Sequence, residues 1–308
     1  MTSYRLVFIF VISCCVPSTT VLSAAVGTIT MRLYSRNDSY KEVGAEQSRQ
    51  LVPHINLGVK TLIHCHGFRQ STDSPHVLNL IHNYLAGFDY NIIAADYRHV
   101  TLRDDYLSSV YLANEVAEVL VRSINDMVAV GLDKNKLLLT GLSLGAQIAG
   151  HIGRILPFKL PEIIAMDPAG PLFKYVEQGI TASDALCVKC IHTDMYFYGT
   201  SKTCGHLDFY PNGGFGEQPG CPLLPATGAC SHDRSAELMG ESARNPYGFE
   251  SVKCNSWSDF KSSRCDRNVI IPMGELSPCS VTGKFYLQTN GKAPFSKGLV
   301  GTVYHREL

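Results

Sequence analysis

The chain has 308 residues, with 27 Lys+Arg against 27 Asp+Glu, 45% hydrophobic residues and 18% charged residues. Balanced charge leaves no basic field to attract a nucleic-acid backbone, and the hydrophobic fraction is that of a folded chain, not a disordered one. The length admits one large α/β domain or two small ones, and 11 Cys point to an oxidising compartment.

At the start, Arg5 precedes the apolar run from Leu6 to Val16, followed by Pro17 and small residues up to Ala25. This pattern describes a secretory signal peptide, cleaved after Ser23 or Ala25. The run reaches only about half of the roughly 20 apolar residues that a membrane-spanning helix needs. No later stretch is long and apolar enough to anchor the chain, so a secreted protein without a transmembrane anchor is expected. Asn37-Asp38-Ser39 is a glycosylation acceptor and is expected at the surface.

Thr61–Cys65 and Asn91–Ala95 read as strands, and His76–Leu85 and Tyr106–Val130 as helices. In the second helix Leu107, Val110, Val116, Leu120, Ile124 and Val128 recur near the helical period and predict one buried face. Lys136–Thr140 is a further strand, Ala146–Leu156 a helix stopped by Pro157, and Glu162–Met166 another strand. Strands spaced by helices of this length predict an α/β fold with a mostly parallel central sheet and helices on both faces. Beyond residue 180 the pattern turns to Cys, Gly and Pro with short strands, as in loops built around a site. No linker interrupts the chain, so residues 24–308 are expected to form one domain.

Chemistry enters at Gly141-Leu142-Ser143-Leu144-Gly145. A G-x-S-x-G pattern alone is weak, but here a strand runs into it and a helix leaves it, the setting of a nucleophile elbow. Glycines on both sides relieve the collisions of so sharp a turn. Ser143 then lies near a helix N-terminus, which favours developing negative charge. A serine nucleophile needs a base, and the base an orienting carboxylate. Asp167 follows a strand and precedes Pro168-Ala169-Gly170, whereas Asp184 and Asp208 follow no comparable strand. Among His192, His206, His232 and His305, the best placed is His232, in a loop that an adjacent disulfide would hold. His66-Gly67-Phe68 follows the first strand, making the backbone N–H groups of Phe68 and Leu144 the natural oxyanion donors.

Loss of the signal removes Cys14 and Cys15 and leaves an odd number of cysteines, so at least one thiol has no intramolecular partner. Cys65, inside an apolar strand, is the candidate for a buried free thiol. Cys187-x-x-Cys190 invites a redox or zinc reading, but no second ligand pair accompanies it and structural disulfides suit the compartment better. His64-x-His66 lacks a third ligand, so no metal is expected.

Taken together these residues resemble the pancreatic lipase family and, within it, the secreted phospholipases A1 of insects. The resemblance rests on His66-Gly67-Phe68, Gly141–Gly145 with Ala146 and Gly150, Asp167–Pro171, Gly205–Gly214, Gln218–Cys221 and Cys230-Ser231-His232. Cys254 with Cys265 and Phe285–Asn290 add to it. It implies an α/β-hydrolase fold with Ser143, Asp167 and His232 as the triad, and pairs Cys221 with Cys230 and Cys254 with Cys265. The pairing of Cys187, Cys190, Cys204 and Cys279 stays open.

The segment from Cys221 through Pro222, Leu223 and Leu224 to Cys230 corresponds to the family's lid and is short. Thr193–Gly205, the other flanking loop, also looks short, and the chain stops without the C-terminal β-sandwich domain that many members carry. These features resemble the phospholipase A1 branch. Leu142 and Gln147 stand where a His is common in the family, which implies altered packing there. The expected activity is hydrolysis of the sn-1 acyl ester of phospholipids at a membrane or micelle interface, by a monomer that needs no metal or organic cofactor. The alternatives are a neutral-lipid or galactolipid lipase and, in another class, a non-catalytic yolk-type or lipid-binding relative.

Overall fold

The computed structural model describes residues 28–306 except 38, 104, 174–177, 216 and 223–228. The signal segment, Leu223 and Leu224 lie outside the described residues. Strands are β1 (Thr30–Tyr34), β2 (Tyr40–Gly44), β3 (Thr61–Cys65), β4 (Asn91–Asp96), β5 (Leu137–Leu142) and β6 (Leu160–Met166). They continue with β7 (Ala185–Ile191), β8 (Leu207–Pro211), β9 (Glu250–Lys253), β10 (Asp266–Pro272) and β11 (Gly283–Leu287). The main helices are α1 (Pro75–Gly87), α2 (Tyr106–Ala129), α3 (Leu144–Ile155) and α4 (Cys230–Arg244).

These strands form one sheet in the order β10-β9-β11-β8-β7-β6-β5-β3-β4-β1-β2. From β11 to β4 in that order every neighbouring pair is parallel, while β1, β2, β9 and β10 pair antiparallel at the two edges. Strands β3, β4 and β5 are buried along their whole length. Alternate residues serve opposite faces. Ile63, Leu139 and Ile163 join the core that includes Val116, Leu120 and Ile124 of α2 and Ile148 of α3. Leu62, Leu138 and Ile164 join the core that includes Leu80 and Ile81 of α1 and Leu238 and Met239 of α4. Both faces are apolar, so these strands read as continuous hydrophobic runs.

The helix after β3 covers one face and the helix after β5 the other, although β3 and β5 are neighbours. Connections that diverge in this way open a crevice at the C-terminal ends of the two strands, where ligands bind in open α/β sheets. This is the α/β-hydrolase fold.

Three sequence expectations need correction. The short strands beyond residue 180 are not confined to loops around the site; β7 to β11 are members of the central sheet. Their signal is weak because buried polar residues such as Lys189 and Asp208 interrupt the apolar runs of β7 and β8, and β10 begins with the exposed polar run Asp266-Arg267-Asn268. Leu107 is exposed, because it lies in the first turn of α2, ahead of the packed stretch that begins at Ser109 and Val110. His232 lies on the first turn of α4 and not in a loop.

Disulfides join Cys187 to Cys279, Cys190 to Cys204, Cys221 to Cys230 and Cys254 to Cys265, and Cys65 is a buried free thiol. Burial pushes that thiol up to about 12, so it is inert as a nucleophile. Asn37 is exposed, with the Ser39 hydroxyl donating to its Oδ1 at 2.7 Å. Among the described residues no helix is long and apolar enough to cross a membrane.

Candidate active site

Ser143 sits between β5 and α3 with φ 58° and ψ −120°, a left-handed conformation that a non-glycine residue adopts only where its surroundings force it. Those surroundings are visible. A Cβ at Gly141 would lie 2.3 Å from the Gly145 oxygen, and one at Gly145 would lie 2.1 Å from the Cys65 oxygen. Only glycine at both positions lets α3 leave the strand so steeply and run so close to β3. The Ser143 N–H donates to the Met166 oxygen at 2.9 Å, and its own carbonyl accepts from Ala169 N–H at 3.2 Å. The elbow is thereby tied to the end of β6, where the carboxylate stands.

Asp167 is fully buried, with φ 38°. Its Oδ1 accepts the backbone N–H groups of Thr193 at 2.8 Å and Asp194 at 3.1 Å, and its Oδ2 meets His232 Nδ1 at 2.5 Å. Gly199 makes room for it: a Cβ there would stand 2.5 Å from Asp167 Oδ1. The acid is therefore held by three contacts before any substrate arrives. Burial drives the His232 pKa down, but the hydrogen bond and charge of Asp167 outweigh it and the net shift is upward. With Nδ1 engaged by Asp167, Nε2 is the nitrogen left for proton transfer.

Ser143 and His232 line one cleft of about 630 Å³, walled by Phe68, Arg69, Gln70, Ser74, Pro75, His76, Tyr106, Pro171, Tyr198, Ala229 and Asp233. Gly67 and Phe68 follow β3 after His66, and a Cβ on Gly67 would come within 3.2 Å of the Ser143 Cβ. Leu144 is the first residue of α3. Phe68, beyond the end of β3, and Leu144, at the head of α3, thus flank Ser143, and Phe68 is braced edge-on by Tyr106 at 5.2 Å between ring centroids.

The competing residues are engaged elsewhere. Asp184 accepts from Arg154 and from Thr181 N–H, and Asp208 accepts from Cys204 N–H and meets His192 Nε2 at 2.8 Å. His206 accepts the Val188 N–H, and His305 is exposed. His64 contacts Thr140 Oγ1, and His66 stacks on Tyr97. Burial lowers their pKa values to about 3 and about 4, so both are neutral core histidines. Cys187 and Cys190 take different disulfide partners. Leu142 is buried in the sheet core, and Gln147 bridges the Ala169 oxygen at 2.6 Å and the Ile180 N–H at 2.7 Å. The amide at 147 therefore braces the segment that follows Asp167.

Sequence reasoning missed Asp194, Tyr198 and the His76–Asp233 pair. Asp194 is close to both Asp167 and His232; burial and the Asp167 charge raise its pKa to about 6. Tyr198 lies over the His232 ring at 5.5 Å, and His76 Nε2 meets Asp233 Oδ2 at 3.3 Å in the cleft wall. None carries a motif; only the folded β7–β8 connection and the meeting of α1 with α4 bring them to the site.

The sequence profile of the family described as Lipase matches residues 23–295. The chain is 31% identical to Lipase member H of Mus musculus over 85% of this chain and 59% of that protein. It is 34% identical to Lipase member H-B of Xenopus laevis, over 69% of this chain and 47% of that protein. Phospholipase A1 member A of Homo sapiens is 30% identical over 78% of this chain and 56% of that protein. The chain thus spans roughly half to three-fifths of the length of these relatives. On this match and the fold, the chain belongs to the lipase family, the pancreatic lipase family of α/β-hydrolases.

Proposed function

We propose that the protein is a secreted serine ester hydrolase that cleaves the sn-1 acyl ester of phospholipids. One observation carries the hydrolase reading: Ser143, in a strained elbow at the head of α3, opens into the same cleft as His232, whose Nδ1 is held by the buried Asp167. In this scheme His232 Nε2 takes the Ser143 proton, and Ser143 Oγ attacks the ester carbonyl. The N–H groups of Phe68 and Leu144 receive the oxyanion, and His232 then protonates the leaving lysolipid oxygen. Water, activated by the same imidazole, releases the fatty acid. The scheme calls on no metal or organic cofactor.

Secretion is supported by the signal-like N-terminus and the four disulfides among the described residues. The phospholipase reading draws on the likeness to a phospholipase A1 and on the shortness of the Cys221–Cys230 segment, whose cysteines are nine residues apart. The likeness to proteins named lipase keeps neutral-lipid hydrolysis as the second reading. A panel of phosphatidylcholine, triacylglycerol and galactolipid with matched acyl chains, with positional analysis of the released fatty acid, separates them. Predominant sn-1 release from phosphatidylcholine is expected; faster turnover of triacylglycerol, or sn-2 release, overturns the phospholipase reading.

A further inference from the structure

Arg69 follows Phe68 directly and lines the cleft with Ser143 and His232. Its backbone lies at φ 58°, in the left-handed region that glycine fills most easily, yet a long cation occupies it. The conformation is fixed from several sides. Arg69 N–H donates to the Thr101 oxygen at 2.9 Å, and Gln70 N–H donates to the Gly67 oxygen at 3.3 Å. Gln70 Oε1 accepts Gly67 N–H at 2.8 Å, and the Thr101 hydroxyl donates to the Gln70 oxygen at 2.8 Å. The backbone of the loop that carries Phe68 and Arg69 is therefore held, and the Arg69 guanidinium lies 5.6 Å from the Phe68 ring centre.

Arg69 is the one arginine among the described residues that line this cleft. Arg32, Arg98, Arg154 and Arg234 are each ion-paired with a carboxylate. Besides His232, the other basic side chain of the cleft wall is His76, and its Nε2 meets Asp233. Among the described residues, the Arg69 guanidinium has no carboxylate partner. An exposed guanidinium without a carboxylate partner, lining the cleft that holds Ser143 and His232, suits one ligand chemistry, a phosphodiester gripped through its paired oxygens. Consecutive Cα atoms are about 3.8 Å apart, so a substrate whose carbonyl faces the Phe68 N–H has its glycerol within reach of the next side chain.

Resting on the ester-hydrolase reading, we propose that Arg69 is a specificity-determining residue that binds the phosphodiester of the lipid head group and favours phospholipid over uncharged acylglycerol. The test compares wild type, Arg69→Gln and Arg69→Lys on phosphatidylcholine and diacylglycerol with the same acyl chains in the same detergent mixed micelles. A charge-assisted hydrogen bond of ordinary strength predicts that Arg69→Gln lowers the phospholipid-to-diacylglycerol ratio of kcat/KM by about 10- to 100-fold, chiefly through KM on the phospholipid. Arg69→Lys should fall between the two. An active wild type whose ratio is within about twofold of that of Arg69→Gln overturns the assignment, even if both rates drop together, since a common drop would mean the loop was merely disturbed. A wild type that cleaves neither substrate overturns the ester-hydrolase reading itself, and this assignment with it.

Discussion

At His232 two effects oppose each other. Removal from water disfavours the imidazolium, while the hydrogen bond and charge of Asp167 favour it, and the second prevails. In the proposed mechanism His232 acts only when neutral, so a raised pKa predicts that protonation disables it over a wider range of acid pH. The acid limb of the kcat/KM profile should therefore lie above the ordinary histidine value of about 6.5. Asp167→Asn should lower turnover by about 10³–10⁴-fold and move that limb to lower pH, because the imidazole loses both its orienting partner and the stabilising charge. Asp194 also faces His232, so Asp194→Asn should move the limb the same way by a smaller amount. A pH–rate profile of the three proteins checks the sign; a limb unmoved by Asp167→Asn would mean that another group titrates.

Among the elements, the turn into α3 is the most constrained. Gly145→Ala places a methyl group against the Cys65 carbonyl and should cost about 1–3 kcal/mol, read as a lower Tm. The entry to α4 is held by Cys221–Cys230, nine residues apart, which closes a loop just ahead of His232. Replacing both cysteines by Ser should remove about 2–3 kcal/mol in the chain-entropy model and lower turnover as the His232 turn loosens. These two elements differ in how far the sequence discloses them. The elbow is legible because its chemistry is local: an apolar strand, two glycines around a serine, then a helix. Helix α4 is not, because Ser235, Gly240, Ser242 and Ala243 supply much of its buried face and leave little apolar periodicity. His232 was identifiable from chain order and likeness to a family, but its place on a helix was not.

Across the whole molecule the sheet separates chemistry from support. Glu162, near the start of β6, lies at the other end of that strand from Asp167. It pairs with Lys189 of β7 and with Lys60, and Lys60 also reaches Glu275 beyond β10 at 2.6 Å. The Lys189 ammonium further donates to the Glu275 carbonyl at 2.7 Å. Lys189→Met leaves Lys60 as the one cation paired with the largely buried Glu162 and Glu275 among the described residues, and should destabilise the protein by about 3 kcal/mol, the low end for breaking a buried pair, measurable by urea titration. Such long-range meetings, like the Cys187–Cys279 bond across 92 residues, depend on which strands end up adjacent, and no local pattern in the chain discloses that. Strands β3 to β6 were legible because they are nearly continuous apolar runs; β7 and β8, also parallel and largely buried, carry Lys189 and Asp208 inside and were not. The most direct test of the account is covalent. Treatment with a fluorophosphonate followed by peptide mapping should place the adduct on Ser143, and His232→Ala should suppress the labelling. A folded wild-type protein that takes no label at Ser143, or a Ser143→Ala variant that keeps wild-type ester hydrolysis, would contradict it.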